Sequence, residues 1–305
     1  MKHFIITVDT EGDNLWSWKK GMPITTKNSK YIPRFQELCE IYHFFPVYLI
    51  DYEMINDDGF MSFVIEKSKA RKCEIGVHIH AWNSPPNYEL PNRFGGNAYI
   101  TEYPIEIQRE KIAFLKSLIQ ERTGVDPVVF RSGRWATDQK LYSILNELGF
   151  LVDCSVTPGI THFSNKGLSV RHGSNHIKES RNIHRLTGRL IEIPMTTARI
   201  KSFTGVTIKN RVRNLIKGKD IWLRPATNSA EEMIALIKDV ENQKIDYLEL
   251  MIHSSELMPG GSPYTKDKEA IESFYLKLES IFQYISKDYK GVLVRDLYSI
   301  VYSEC

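Results

Sequence analysis

Apolar positions along the chain follow two alternating patterns. Short runs rich in β-branched residues occupy 3–9, 45–52, 74–80, 127–133, 150–156, 189–195 and 246–254. Between them lie longer stretches with helical spacing at 32–43, 62–70, 105–124, 137–149, 228–243 and 267–287, and 291–301 closes the chain. The first helical stretch places Ile32, Phe35, Leu38 and Ile41 at helical intervals. The third ends in Gly124, a residue suited to a C-cap, and Thr137 stands where the fourth needs an N-cap. The strand runs are apolar at nearly every position, as expected where both faces of a parallel sheet are covered. Strand–helix alternation of this kind predicts an α/β architecture. Some seven strands at this length predict a closed (β/α) barrel, with a doubly wound open sheet as the competing arrangement. Residues 1–305 read as a single domain. The stretch 155–219 breaks the rhythm and reads as an insertion over one end of the barrel.

Reactive residues collect at one end of the strands. Asp9 and Glu11 end the first run, His78 and His80 the third, Arg131 the fourth, Asp153 the fifth, and His253 a late one. In α/β barrels the C-terminal strand ends carry the chemistry. His78 and His80 are two apart, so on a strand they project from the same face.

Composition narrows the class. With 42% apolar and 25% charged residues the chain is ordinary for a globular protein. The four cysteines make no CxxC pair, which is read as a reducing compartment without a disulfide framework. The opening apolar run is too short for a secretion signal and no stretch reaches a membrane span, so a cytoplasmic protein is expected. Charge is uneven. From His162 to Lys219 there are 13 Lys and Arg against Glu179 and Glu192, a net +11, which leaves −8 on the rest of a chain whose total is +3. Such a block fits an anionic partner or a solvated surface. No nucleic-acid-binding motif accompanies it, so nucleic acid is not expected. Ile208, Val212, Leu215 and Ile216 share helical spacing with basic residues between them. Over 207–219 this fits either peripheral contact with an anionic bilayer or packing of the stripe on the domain itself.

Four motifs in order, "TVDTEGD", "EIGVHIHAW", "FRSGRWA" and "LMIHSSELMPGGSP", resemble the polysaccharide deacetylases of the NodB-homology group, carbohydrate esterase family four, and most nearly their WalW-like branch. The resemblance runs from Thr7 to about Tyr298. It implies a distorted (β/α) barrel and metal-dependent removal of an acetyl group from an N-acetylated sugar. It implies Asp9 as catalytic base, Arg131 as its partner, His253 as general acid, and Asp153 as a further catalytic acid. Leu250 would line the acetyl pocket, in a pattern read as Leu-x-x-His. The sequence departs from the family at two places. Thr10 replaces the second of two adjacent acids, so Glu11, or next Asp13, must stand in. Trp82 replaces the second histidine, so His80 must serve. Glu11, His78 and His80 are then the expected ligands of a divalent ion, with Zn2+ first in view.

Amide hydrolysis needs a polarised carbonyl, an activated water and a proton for the departing amine, and this residue set can supply all three. Trp82 and Trp135 are expected to stack on a sugar; Trp16 and Trp18 fit either that role or capping of the core. His162, His172, His176 and His184 are expected to lie in a loop without catalytic part. The expected substrate is a precursor of a surface polysaccharide, its sugar carried on a nucleotide or polyprenyl phosphate. A metal-independent C–N hydrolase and an inactive glycan-binding barrel are the alternatives.

Overall fold

The computed structural model describes residues 2–19, 21–91, 97–164, 173–201 and 207–302. Seven parallel strands form a curved wall: β1 (Lys2–Thr10), β2 (Pro46–Ile50), β3 (Glu74–Ile79), β4 (Val129–Ser132), β5 (Val152–Asp153), β7 (Leu190–Glu192) and β10 (Tyr247–His253), in the order β10-β1-β2-β3-β4-β5-β7. Two short strands extend it. β6 (His184–Thr187) runs antiparallel to β7, and β11 (Tyr289–Gly291) pairs with β1. Phe4 to Thr10 of β1 and all of β2 and β3 are buried, as their unbroken apolar runs require.

The wall closes irregularly between β7 and β10. Thr196, just beyond β7, accepts a backbone hydrogen bond from Glu249 on its side chain (2.8 Å) and one from Leu223 on its carbonyl (2.9 Å). Leu223 in turn accepts from Met251 N at 3.2 Å. These isolated bonds replace a continuous ladder, which is why the barrel is distorted. Leu223 follows a separate two-stranded antiparallel sheet of β8 (Thr197–Ile200) and β9 (Lys219–Trp222), joined by a helix, α5 (Ile208–Lys217).

The covering helices are α1 (Ile32–Ile41), α2 (Asp58–Lys69), α3 (Ile105–Thr123), α4 (Gln139–Glu147), α6 (Ala230–Asn242), α7 (Lys268–Ile285) and α8 (Val294–Val301). Gly124 ends α3 in the left-handed conformation at φ 71°, where glycine has no Cβ to clash. Three sequence expectations need correction. The cap of α4 is Asp138, whose carboxylate accepts from Leu141 N; Thr137 bonds His176 instead. On α1 the buried face runs Ile32, Phe35, Gln36 and Cys39, and Ile41 is exposed. The stretch 155–219 is not simply an insertion over the barrel's end, because β6 and β7 are strands of the main sheet. Cys39, Cys73 and Cys154 are buried and unpaired; Cys305 lies outside the described residues.

Candidate active site

Parallel register brings the distant motifs together. β1 pairs with β10 so that Asp9 stands beside His253, and β3 pairs with β4 so that His78 stands beside Arg131. Glu11 and His80 lie just past their strand ends. The result is a cleft of about 1120 Å³ whose floor includes Asp9, Glu11, His78, His80 and His253.

Glu11 is the hub. Its Oε2 lies 2.8 Å from His80 Nε2 and 3.3 Å from His78 Nε2, and its Oε1 lies 3.9 Å from His253 Nε2. Its backbone is pinned from below. Asn28 donates to the Glu11 carbonyl (2.8 Å), and Glu11 N donates to Ser254 Oγ (3.1 Å). Asp51, at the end of β2, accepts from Gly12 N at 3.2 Å and Met54 N at 2.8 Å, which fixes the turn after Glu11. Burial pushes Asp51 up to about 7. Burial also opposes ionisation of Glu11, but the charge of His253 and hydrogen bonds from His78 and His80 outweigh it and hold the carboxyl well below its usual range.

His78 Nδ1 faces the Arg131 carbonyl at 3.1 Å. A carbonyl only accepts, so in the neutral ring the proton is on Nδ1 and the Nε2 lone pair points to the cleft. This anchoring is the usual arrangement for a histidine that binds a metal. His80 is held against Gly133: a Cβ on that glycine would lie 2.5 Å from His80 Nδ1 and 2.7 Å from the Ile79 carbonyl.

Candidate ligand atoms of Glu11, His78 and His80 lie within 4.8 Å of one another. Bonds of about 2.0–2.2 Å in a tetrahedron set ligand atoms roughly 3.4 Å apart. One carboxylate and two imidazoles at these separations fit a Zn2+-like ion. Asp13, the other stand-in weighed from the sequence, is used elsewhere, accepting from Lys27 N (2.7 Å) and Thr25 Oγ1 (2.9 Å).

Beneath Asp9 is a buried charge network. Arg131 Nη1 contacts Asp9 Oδ1 at 2.8 Å, Nη2 contacts Glu249, and Nε donates to the Cys154 carbonyl at 2.7 Å. Burial opposes the charge on Asp9, but Arg131, His78 and His253 together outweigh it and keep its carboxyl below the ordinary value. Arg131 has no exposed surface. Unpaired, a cation there would be prohibitive; two carboxylates make it tenable.

His253 is oriented by a second arginine. Arg224 Nη2 lies 3.0 Å from His253 Nδ1 and also contacts Glu256. Arginine can only donate, so Nδ1 accepts and the neutral ring carries its proton on Nε2. That atom faces the cleft, 3.8 Å from Asp9 Oδ2. Burial opposes ionisation of Glu256, but the charge of Arg224 together with its hydrogen bond and those from His253 outweighs it and brings the carboxyl down to about 2. Trp16 meets the His253 ring edge-to-face at 5.1 Å.

Aromatic residues line the walls. Trp16, Trp18, Trp82 and Trp135 all border the cleft. Trp18 and Trp82 lie with ring centres 4.4 Å apart. Trp135 is stacked on His162 at 6.1 Å and meets Trp222 at 5.6 Å. Arg134 and Trp135 both have left-handed backbones, at φ 56° and 61°. Non-glycine residues hold such angles only where their surroundings impose them, and strain of this kind gathers at functional sites.

Four site expectations change. Leu250 does not line the cleft; strand alternation sets it on the face opposite His253, with Glu249 and Met251 on the inward face. Asp153 lies fully buried below the cleft, accepting from Ser155 Oγ and beside Glu192, and burial pushes it up to about 7. It is out of reach of a cleft ligand. Trp16 and Trp18 join Trp82 and Trp135 at the cleft. His162, expected to be inert, borders the cleft too, with His176 behind it and Thr157 Oγ1 bonded to both. His184 bonds the Asn182 carbonyl on the exterior, and His172 lies outside the described residues. Glu249, Asp51, Arg224 and Glu256 escaped notice in the sequence. The signal for Glu249 and Arg224 was an ionisable group in or next to an apolar run, which needs a buried partner.

No protein-family model matches the sequence, and no curated protein matches it. Solved structures do match. A Mycobacterium smegmatis protein assigned as a polysaccharide deacetylase superposes with a TM-score of 0.53 at 13% identity, over 99% of this chain and 91% of that one. Puue allantoinase does so with 0.52 at 12% identity, over 99% and 89%. The 4-alpha-glucanotransferase of Thermococcus litoralis gives 0.54 at 13%, over 98% of this chain and 40% of that one. Identity this low establishes a common fold, and one fold hosts several chemistries. The chain therefore has the distorted (β/α) barrel fold of the NodB-type polysaccharide deacetylases.

Proposed function

We propose that the protein is a hydrolase that removes the acetyl group from an N-acetylated sugar, a precursor of a surface polysaccharide. The observation that carries this reading is the convergence of Asp9, Glu11, His78, His80 and His253 on one cleft walled by tryptophans. Glu11, His78 and His80 would hold a divalent ion, with Zn2+ favoured by the one-carboxylate, two-imidazole set. Such an ion supplies Lewis-acid polarisation of the amide carbonyl and makes water more acidic.

Asp9 is the base. Its Oδ1 is engaged by Arg131, so Oδ2 accepts the proton of the attacking water. His253 is the acid: it enters the step protonated on both ring nitrogens, its Nε2 proton passes to the amide nitrogen as the C–N bond breaks, and the ring is left neutral as acetate and the free amine are released. Glu256 Oε1, 3.5 Å from Nδ1, is the acceptor for the second ring proton, and Arg224 holds the ring with Nε2 toward the cleft. Arg131 and Asp153 are not catalytic residues in this scheme: Arg131 positions Asp9, and Asp153 supports the interior beside it. The tryptophans offer faces for a sugar ring. Lys19 and Arg134 border the same cleft and support a substrate linked to phosphate.

The test is acetate release by metal-loaded protein from N-acetylated sugars, free and as nucleotide conjugates. Asp9→Asn should keep its metal and lose about 10²–10⁴ in kcat, the range of general-base catalysis. Undiminished turnover in that variant would refute the assignment. One observation favours a second reading. Glu11 already contacts both histidines, and with His78 protonated on both ring nitrogens it accepts from each, so the trio is satisfied without an ion. In a metal-independent C–N hydrolase, chelation would leave turnover intact. Sugar binding without turnover under any condition would instead indicate an inactive barrel.

A further inference from the structure

The helix α5 turns its apolar side outward. At 3.6 residues per turn, Ile208, Val212, Leu215 and Ile216 span an arc of about 100°. They are 76%, 44%, 50% and 65% exposed. Asn214, about 150° from the middle of that arc, is the buried residue of the helix. A helix packed on its own domain shows the reverse order, so the stripe is not a core face. Lys209 and Arg213 lie beyond one edge of the arc and Lys217 further round on the same side; all three are exposed and form no ion pair among the described residues. Charge is one-signed here: from Ile193 to Lys219 there are seven Lys and Arg and no Asp or Glu.

We propose that α5 is a membrane-docking helix that lies in the interface of an anionic bilayer, with its isoleucines and leucine among the acyl chains and its lysines and arginines against acidic headgroups. The chemistry selects this occupant. A protein partner of ordinary composition would satisfy the stripe or the charges, but a sheet of acidic headgroups over hydrocarbon matches both along one line. Among the described residues no helix is long and apolar enough to cross a membrane, so the contact is peripheral. At its far end β9 carries Trp222 against Trp135, which ties the docked unit to the cleft wall. The inference does not depend on the reaction proposed above.

The experiment is co-sedimentation of the full chain with phosphatidylcholine vesicles, with and without phosphatidylglycerol. Binding is expected only with phosphatidylglycerol and should weaken in high salt. Arg213→Gln with Lys217→Gln should lower partitioning roughly thirty-fold, from about one headgroup interaction lost per cation. Ile208→Ser with Ile216→Ser should abolish it. All four side chains are exposed, so thermal unfolding and metal content should match the parent chain and show that the fold is intact. Absence of phosphatidylglycerol-dependent binding, or equal binding by the isoleucine variant, would overturn the proposal. So would self-association in sedimentation velocity that the isoleucine variant abolishes, since the stripe would then belong to a second copy.

Discussion

Gly133→Ala is the sharpest probe of the site, because it adds one methyl group and removes nothing. The new Cβ would lie 2.5 Å from His80 Nδ1, 2.7 Å from Cε1 of the same ring and 2.7 Å from the Ile79 carbonyl. Carbon does not approach other heavy atoms closer than about 3.0 Å, so the ring must retreat by at least half an ångström (order of magnitude) or the strand end must move. Gly133 does not have a positive φ, so the effect is steric rather than a backbone penalty. The general cost should be modest, about 1–3 kcal/mol for an overpacked position. The specific cost falls on His80, whose Nε2 bonds Glu11 Oε2 at 2.8 Å. Ligand geometry tolerates about 0.2 Å, and disturbing groups that orient a ligand lowers metal affinity by about 10–100-fold. The assay is Zn2+ affinity by competition with a chromophoric chelator, beside a denaturant melt of the metal-free protein. Unchanged affinity in a variant that folds normally would refute the placement of His80 among the ligands.

Three further outcomes are expected. Arg131→Met leaves Asp9 and Glu249 buried without their cation and should destabilise the fold by about 3–5 kcal/mol in denaturant melts at pH 8. The loss should shrink near pH 5, since burial already brings Glu249 up to about 6 and protonation relieves it; a loss below about 1 kcal/mol at pH 8 would mean the network is not as buried as described. Arg224→Gln frees the Nδ1 side of His253 and should lower kcat about 10–100-fold while metal content stays constant; lost metal would instead assign Arg224 a purely structural part. Asp153 is raised by burial to about 7 and Glu192 is raised well above its usual value, so the folded state holds protons that the unfolded chain has released. Stability from this pair is complete below about pH 4 and is lost as pH rises through 7, with a slope of up to about 1.4 kcal/mol per pH unit per proton. Unfolding free energies from pH 5 to 8 should fall, and Asp153→Asn should flatten that slope.

Much of this molecule was legible along the chain because burial is periodic. Unbroken apolar runs separated by helical spacing specify a parallel sheet under helices, and a reactive side chain at the close of such a run can only emerge at the sheet's C-terminal edge. Asp9, Glu11, His78, His80 and His253 were readable for that reason. The same parity explains the error at Leu250: residues three apart on a strand face opposite ways, and Glu249 and Met251 share the face of His253. What only the tertiary structure decided is depth and partner. A polar residue ending a strand looks alike in sequence whether it opens on the cleft, as His253 does, or lies beneath it, as Asp153 does. Depth depends on how β4, β5 and β7 are staggered as the wall curls, and that is a property of the packed sheet. Pairings across more than a hundred residues, such as Arg131 with Asp9 and Glu249, depend on the same closure. The apolar stripe of α5 shows the limit most plainly: periodicity fixes that four residues share a side, and only the packing of Asn214 decides that the side is turned to the outside.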